Sequence, residues 1–470
     1  MAALKEKGSI PVDFYNKEGQ VLIHRKPEAS LDEIERLQKF FDRGVYYDIK
    51  DQQHLFLKPE KKLVPQGLSD TKLFDQAATE QLRENAREIF AELKNKSISS
   101  TQLKNTGSML NDVFTDFEKQ PEVMTGLLNI IEVTGDSSES YNTEISVKRA
   151  AVSMALKTRG LNNRAKLRQS GQLQAKVNNL MMSAIICDVG KTEVEVDHQN
   201  SLNRNDFQKI QRYPLHSFRS VLMAESLEAE VKRLVLNHRR PLHDSIPNNN
   251  YPESRWLEKY LANLCTKAPQ KSGLYNELAF QLSNVKQPRA YDEDVNVLAI
   301  ASDFASLTSN VPWRKAFSPK QAIRQIINQS FYSYNPRITR EFLDYVSISL
   351  SDNEMIINRN DFVIMAVESS KGVVFDVGKV VDINRFQSRP VVERIASIDL
   401  FYTYDYKLGI QKPDWRHVRG EKRFSTCNLD QDFSRRIVYV IDPGEDTDLY
   451  NFIFDLTAKS YTPGGPDESH

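Results

Sequence analysis

The stretch SAIICDVGKTEV, residues Ser183–Val194, decides how the middle of this chain folds. Its first half is a continuous apolar run, and that run ends in Asp188, Val189, Gly190 and Lys191. An apolar run of this kind, followed by a glycine, predicts a helix that is buried in a protein core. Such a helix would present one carboxylate and one lysine at the mouth of a pocket. The first question is therefore what chemistry surrounds Asp188.

The bulk composition is that of a large globular protein. A chain of 470 residues is long enough for two or three domains. Its hydrophobic content of 40%, charged content of 27% and mean hydropathy of −0.52 are typical of soluble proteins. The 63 Lys and Arg residues balance 63 Asp and Glu residues, so net charge provides no general attraction to nucleic acid or to an anionic membrane.

Targeting signals and cysteine usage point to the cytoplasm. No apolar run is long enough to cross a bilayer, and the start MAALKEKGSIP lacks the apolar core of a signal peptide. The three cysteines are far apart and form no CxxC pair, which argues against a disulfide framework and against a cysteine zinc site. We expect a cytoplasmic protein that binds no nucleic acid and does not insert into a membrane.

The residue patterns at the two ends of the chain differ from the pattern in its middle. Strand-like runs VDFYN, QVLIHR and VYYDI, with a capping-box pair Ser30 and Glu33 between them, predict a small α/β unit. After Asn358 the runs FVIMAV, GVVFDVGKVVDI and RRIVYVID are rich in β-branched and aromatic residues and predict a β-rich module. The final TPGGPDESH is expected to be disordered.

Between these ends the apolar spacing is helical. From Asp70 to about Val133 the pattern predicts helices, with SSTQLKNTGS at positions 99–108 as a break between them. Helical patterning then continues to about Leu350. Ser318 and Pro319 form an N-cap and first-turn pair before one of these helices.

Four ordered segments give the middle of the chain a resemblance to HD-GYP domains. AIICDVGK (184–191) resembles an apolar run ending in HDxGK, and RYPLHSFRSVL (212–222) resembles HPxxGxxIL. VLNHRRPLHDSIPNNNYP (235–252) resembles the HHE…GYP loop, and LAIASDFASLTSNVPWRKAFSPKQAI (298–323) resembles ADxxDALTSxRPYRxAxSxxEA. The segment KVVDINRFQSRPVV (379–392) also resembles the short β tail that often follows such domains.

This resemblance implies a fold class, a domain plan and a chemistry. HD-GYP domains are all-α and hydrolyse the bacterial second messenger cyclic di-GMP at a site of two or three metals, usually iron or manganese. The fold class expected here is multidomain α+β, with a central all-α HD-type domain. The expected divisions are an N-terminal α/β unit (1–66), a helical connector (67–133), a degenerate HD-GYP domain (134–352), a β-rich module (358–458) and a disordered tail (459–470).

Most of the metal ligands that the family uses are replaced in this sequence. The resemblance places its histidines and its late aspartate on Thr143, Cys187, Tyr213, Asn237 and Ser302. Other signature positions also differ: the loop glutamate reads Arg239 or Arg240, the GYP glycine is Asn250, and the arginine before the later proline is Val311. The matching residues that survive are Asp188, Lys191, His238, Arg314 and Lys315.

The replacements leave alternatives for Asp188 and its neighbours. Cys187 is either a soft metal ligand or a small buried hydrophobe. If any metal is held, we expect it at Asp188, His238 and Asp303, although Asp303 lies one helix position, or about 100° of rotation, from the expected place. The remaining candidate ligands are His216 and His243, each of which is otherwise an ordinary solvated histidine.

The sequence therefore favours a catalytically inactive regulator or scaffold of the cyclic di-GMP type, with no cofactor and with a protein partner. The alternative is an active phosphodiesterase that uses rearranged ligands around a pair of iron or manganese ions. Arginines that replace metal ligands can hold phosphate directly, because a guanidinium binds it in bidentate fashion. Trp313 would offer guanine a stacking face. The candidate cations for cyclic di-GMP or another phosphate ligand are Lys191, Arg239, Arg240, Arg314 and Lys315; a solvated basic surface is the other interpretation.

Overall fold

The computed structural model divides the chain into two compact units. Unit 1 contains residues 1–66 with 351–353, and unit 2 contains residues 67–350 with 354–470. The structure describes residues 10, 12–16, 21–26, 29–30, 45–47, 76–94, 99–119, 141–159, 167–194, 204–240, 242, 251–349, 356–369, 372–384, 386–405, 410–419 and 425–458.

Unit 1 contains a small antiparallel sheet with its own core. Strand β1 (Phe14–Tyr15) lies between β2 (Val21–Ile23) and β3 (Tyr46–Tyr47). Ile10, Val12 and Phe14 are buried together beneath it. The three strands lie within the three runs that the sequence indicated. The helix predicted after Ser30 and the tail from position 459 lie outside the described residues.

The first described residues of unit 2 form helices, and the described residues between 145 and 240 contain no strand. The mixed architecture predicted from the sequence, a helical region followed by a β-rich module, is confirmed, and the β-rich part is a separate antiparallel sheet. The helices are α1 (Gln76–Lys94), α2 (Ser100–Lys119), α3 (Tyr141–Arg159), α4 (Leu173–Ile186), α5 (Arg204–Gln211), α6 (Tyr213–Leu222), α7 (Ala229–Asn237), α8 (Ser254–Lys267), α9 (Gly273–Val285), α10 (Glu293–Leu307), α11 (Pro319–Ser333) and α12 (Pro336–Ser349).

Helix α4 lies at the centre of this helical region. Leu180, Met181, Ile185 and Ile186 have no exposed surface. Burying an aliphatic side chain of this size contributes roughly 1.5–3 kcal/mol relative to leaving it in water. The apolar run before Asp188 is therefore a buried helix, as predicted.

The predicted break at positions 99–108 is wrong. Helix α2 begins at Ser100 and continues through this stretch, and the hydroxyl of Ser99 accepts a hydrogen bond from the backbone N–H of Gln102 at 3.0 Å. Leu103, Leu110 and Phe114 are buried along one face. Packing of this face outweighs the weak helix propensity of the serines, threonines and glycine.

Helix α11 begins where the sequence indicated. Ser318 is its N-cap and Pro319 its first residue, and the Ser318 hydroxyl accepts a hydrogen bond from the backbone N–H of Gln321. Farther along the helix, Arg324 joins it to the start of the sheet. Its guanidinium pairs with Asp361 and with Asp442, each at 3.1 Å.

The C-terminal sheet is antiparallel, and one of its interior strands is covered on both faces. Its strands are β4 (Phe362–Ser369), β5 (Gly372–Asp382), β6 (Val391–Asp405), β7 (Ile410–Arg419), β8 (Ser425–Asn428) and β9 (Arg435–Val440), in the order β7-β6-β5-β4-β9 with β8 paired to β6. Along β4, Val363 and Met365 join the main helical core, whereas Phe362 and Ile364 join a second core. This alternation is the two-residue period of a strand.

A final helix, α13 (Thr447–Ala458), completes the second core through Leu449 and Ile453. The sequence analysis predicted only β structure here. None of the helices in the described part of the chain combines the length and the apolar character needed to cross a bilayer.

Candidate functional site

The DVGK segment is fixed in place by helix α6. After α4 ends, residues Val189–Glu193 form a short 3₁₀ turn. A Cβ added to Gly190 would lie 2.3 Å from both the Ser217 nitrogen and the Tyr213 oxygen, so only glycine allows this approach. The Gly190 N–H donates to the Ser217 hydroxyl at 2.8 Å, and that hydroxyl donates to the Cys187 carbonyl at 2.6 Å. The carboxylate of Asp188 is therefore held at one defined point.

At that point Asp188 is paired with two cations. Its Oδ2 accepts hydrogen bonds from Arg149 Nη2 of helix α3 at 2.5 Å and from Lys191 Nζ at 2.8 Å. The side chains of Arg149 and Asp188 are 1% and 0% exposed. Arg149 Nη1 also donates to the Ala184 carbonyl at 2.9 Å and to the Cys187 sulfur at 2.6 Å. The guanidinium thus caps the carboxyl end of α4, where the helix dipole favours positive charge.

The two cations decide the ionisation of this carboxylate. Burial by itself raises the pKa of Asp188, but Arg149 and Lys191 outweigh it and hold that pKa well below its usual range. Burial also raises the pKa of the Cys187 thiol, to about 11, against the opposing effect of Arg149. Asp188 is therefore a carboxylate and Cys187 a neutral thiol that accepts a hydrogen bond. Cys187 has the environment of a buried small side chain.

His238 and Tyr213 form a second buried group beside this one. His238 Nδ1 lies 2.8 Å from the Val235 carbonyl, which requires a proton on that nitrogen, so Nε2 accepts from the Tyr213 hydroxyl at 2.9 Å. Burial, reinforced by Arg239, lowers the pKa of His238 well below its ordinary value. The imidazole is neutral, and both of its nitrogens are occupied. Lys191 Nζ lies 4.8 Å from the centre of the Tyr213 ring and connects the two groups.

Arg239 extends this network to helix α10. Its Nε donates to the Tyr213 hydroxyl at 3.2 Å, and its Nη1 donates to Asp303. Asp303 also accepts from the Tyr334 hydroxyl at 2.5 Å. Asp303 therefore joins the site through an arginine. The neighbouring Ser302 is fully buried, and its hydroxyl has no hydrogen-bond partner among the described residues.

The other predicted cations lie apart from this network. Arg240 Nη1 donates to Asn237 at 2.9 Å and its Nη2 donates to Ser254 at 2.5 Å. Arg314 donates to the carbonyl groups of Ser306 and Leu307 at the end of α10. The structure thus brings Lys191 and Arg239 together through Tyr213, and places Arg240 and Arg314 in local contacts elsewhere.

The remaining candidates lie at the edges of the site or beyond it. Lys315 is exposed. Trp313 packs edge-on against Tyr141 with ring centres 5.8 Å apart. His216 is partly exposed, with its Nδ1 at 3.2 Å from Glu193. His243 lies outside the described residues.

Sequence reasoning missed Arg149, which is the central residue of the site. A signal was present, since Lys148 and Arg149 interrupt an otherwise apolar helical run, ISVKRAAVSMAL. Lys148 is also buried, with Nζ at 3.0 Å from Glu144 and from the Thr308 carbonyl. Adjacent cations on a buried helix need partners inside the protein. That need was the only clue, and it does not identify Asp188 as the partner.

The donor set does not fit the metal pair that the sequence resemblance implies. Such a site needs several carboxylate and imidazole atoms free to converge on the metals. Here Oδ2 of Asp188, both nitrogens of His238 and both oxygens of Asp303 already have partners within the protein. Among the carboxylate and imidazole atoms of Asp188, His238 and Asp303, only Oδ1 of Asp188 is buried without a hydrogen-bond partner in the described structure. No cluster of three or more His, Cys, Asp or Glu residues that could hold a metal occurs within the described ranges.

Comparisons with known proteins give distant structural likeness alone. No family model matches the chain, and no curated protein matches it. Among solved structures, the chain is similar to Bd1817, a HDG"Y"P protein from Bdellovibrio bacteriovorus, with 10% sequence identity and a TM-score of 0.39. The similarity covers 72% of this chain and 95% of that one.

Proposed function

We propose that the helical region is a degenerate HD-GYP-type domain, and that the protein is a catalytically inactive regulator or scaffold in cyclic di-GMP signalling. In this proposal an internal guanidinium takes the position of the catalytic metals. The domain keeps its shape and loses hydrolysis. Its function then depends on what it contacts, and we expect a protein partner.

The convergence of the matched positions supports the domain assignment. Asp188, Tyr213 and His238 were matched to family motifs by their order along the chain, and Asp303 follows the matched Ser302 by one position. In the fold they lie at the ends or within four different helical segments and are linked through Arg239 and Lys191. Positions that are distant in sequence are expected to meet in this way if they descend from one catalytic centre.

The ion pair between Arg149 and Asp188 is the observation that supports the proposed loss of catalysis. A divalent cation at Asp188 would have to displace a fully buried guanidinium and approach Lys191 as well. Both would repel it at short range in a medium of low dielectric constant. The guanidinium cannot lower this cost by losing its proton, because arginine stays charged in proteins.

A turnover assay tests this proposal directly. The purified protein, supplied with ferrous iron or with manganese, is expected to release no linear dinucleotide from cyclic di-GMP. The Asp188→Asn variant serves as the matched control for any trace activity, since a contaminating hydrolase would not respond to it. Metal-dependent turnover that Asp188→Asn abolishes would establish the rearranged phosphodiesterase instead.

Binding of cyclic di-GMP without cleavage is the finer part of the proposal. The candidate cations are the five named from the sequence, of which Lys191 and Arg239 are already in ion pairs. A ligand phosphate at these two would compete with Asp188 and Asp303. Arg314 and the exposed Lys315 form no ion pair with a carboxylate in the described part of the chain and are the better anchors.

Calorimetry at moderate salt tests this binding. If the cations form a site, cyclic di-GMP saturates it with whole-number stoichiometry, and an Arg314→Ala, Arg240→Ala double variant binds more weakly. No heat and no thermal shift at high micromolar ligand would leave the scaffold role without a nucleotide ligand.

A further inference from the structure

A small pocket lies between helix α12, the turn before β6 and the start of β9. Its volume is about 30 Å³. Because one water molecule needs about 10–15 Å³, the pocket has room for about two or three oxygen atoms of one anionic group. Asp188, Tyr213 and His238 do not line it, so it is separate from the site around Asp188.

The charged lining of this pocket is entirely basic. It contains four arginines and no aspartate or glutamate. The apolar lining includes Leu343, Leu429 and Ile437, which are buried in the main helical core. Walls of this composition favour an anionic ligand, because they supply positive charge and no negative charge. The four arginines are Arg340 of α12, Arg389 before β6, and Arg435 and Arg436 at the start of β9.

Three of these arginines are paired with carboxylates that lie outside the lining. Between 16% and 26% of each of the three side chains stays accessible. They therefore line the pocket without being sealed from solvent. The pairs are Arg389 with Asp344 and Asp430, Arg435 with Asp432, and Arg436 with Glu368.

Arg340 differs from the other three arginines of the pocket. It is partly exposed and forms no ion pair or hydrogen bond with a described residue. Its guanidinium carbon lies 4.3 Å from the centre of the Phe433 ring. Of its guanidinium nitrogens, Nη2 alone is buried without a partner, so Nε and Nη1 retain accessible surface for a ligand.

The neighbouring charges also leave Arg340 without a counter-ion. Burial lowers the pKa of Arg340, repulsion from Arg389 lowers it further, and Asp344 and Asp430 oppose these effects without outweighing them. Both aspartates are already paired with Arg389. Two guanidinium groups therefore repel each other beside the pocket, and an anion bound there would relieve the repulsion.

We propose that this pocket binds a phosphate group, which Arg340 holds together with Arg389. A phosphate monoester carries a charge of about −1.5 to −2 at pH 7 and three strong acceptor oxygens, so it can compensate two adjacent guanidinium groups. A guanidinium also matches a phosphate with two parallel hydrogen bonds. The group is either free phosphate or the phosphate of a phosphorylated side chain, and the two share this recognition chemistry. The site is independent of the proposed loss of metal chemistry at Asp188.

The test is a calorimetric titration of the full chain, at constant ionic strength, with inorganic phosphate and with N-acetylphosphoserine amide. Each should saturate with a stoichiometry of one. N-acetylserine amide, which lacks the phosphate, should bind about tenfold more weakly or worse than its phosphorylated form, since that ratio corresponds to one charge-assisted contact. N-acetylglutamate amide should also bind more weakly, because a carboxylate brings a single charge.

The two phosphate compounds distinguish the source of the ligand. Tighter binding of N-acetylphosphoserine amide identifies a phosphorylated side chain, and tighter binding of inorganic phosphate identifies free phosphate. Absence of saturable binding of both at millimolar concentration overturns the proposal. A carboxylate that binds as tightly as phosphate also overturns it.

Three variants separate ligand binding from folding. Arg340→Met should weaken phosphate binding by about tenfold or more, with little change in the unfolding temperature because Arg340 forms no ion pair. Phe433→Ala, at a position that is 73% exposed, should weaken phosphate binding without affecting the fold, because the ring holds Arg340 in place. The matched control is Arg255→Met, which removes an exposed arginine of α8 that does not line the pocket; its phosphate binding should equal that of the wild type.

Two results of these variants contradict the proposal. One is phosphate binding that is unchanged in both Arg340→Met and Phe433→Ala. The other is phosphate binding that falls as much in Arg255→Met as in Arg340→Met, since that would reflect general charge and not a site.

Discussion

The buried pair of Arg149 and Asp188 can be tested by removing its cation. Substituting Arg149→Met keeps much of the side-chain volume and leaves Asp188 with Lys191 as its one remaining cation. Breaking a fully buried ion pair from one side costs about 3–5 kcal/mol, because the other charge stays behind. Since Lys191 still compensates the charge of Asp188, we expect the free energy of unfolding to fall by an amount near the lower end of that range, about 3 kcal/mol.

Substituting the carboxylate of the pair should lower the free energy of unfolding by a larger amount. Asp188→Asn leaves two cations, Arg149 and Lys191, without a carboxylate in the same buried volume. We expect a loss at the upper end, about 5 kcal/mol. The double variant Arg149→Met, Asp188→Asn should be less destabilised than the sum of the two single variants, because the buried charges leave together.

Urea unfolding followed by tryptophan fluorescence measures these differences. The matched control is Arg359→Met, which removes an arginine from an ion pair whose side chains are 65% and 53% exposed. A pair in that position is worth about 1 kcal/mol or less. If Arg149→Met shifts the transition no more than Arg359→Met does, Arg149 is not the buried counter-ion of Asp188 and the reasoning fails.

Three further predictions concern the same site. Gly190→Ala should lower the free energy of unfolding by at least about 1–3 kcal/mol, because its Cβ would meet the backbone of Tyr213 and Ser217. The control Gly107→Ala has open space around it and should not destabilise its helix. Urea unfolding of the two variants compares them. The low pKa of Asp188 stabilises the folded state above the pKa of an unfolded aspartate, about 3.9, and this stability falls as the pH drops below that value. In a series of unfolding temperatures measured against pH, Asp188→Asn should make this fall less steep. An unchanged slope would contradict the assignment. Tyr213→Phe leaves His238 Nε2 buried without its donor and should cost about 1–3 kcal/mol in urea unfolding, with no loss if that hydrogen bond is not formed.

The sequence predicted those parts of the fold that local pattern controls. The apolar run before Asp188 became a buried helix, and Ser318 with Pro319 became a helix start, because burial pattern and capping chemistry act over a few residues. The stretch at 99–108 was misread for the converse reason. Its serines, threonines and glycine disfavour a helix locally, and only contacts with distant helices stabilise one there.

The site was predictable in its positions and not in its contacts. The motif order marked Asp188, Tyr213 and His238 as neighbours. It gave no sign that Arg149, 39 positions before Asp188, would be the partner of that carboxylate. Ion pairs between helices depend on side-chain direction in the folded core, and a single sequence does not record that direction.

The metal content of the purified protein tests the central claim most directly. The protein is produced in cells supplied with iron and manganese, purified without chelators and analysed by elemental mass spectrometry, with Asp188→Asn prepared in parallel. Because the Arg149 guanidinium occupies the carboxylate, we predict substoichiometric metal that does not differ between the two proteins. Two metals per chain in the wild type, lost in Asp188→Asn, would contradict the account.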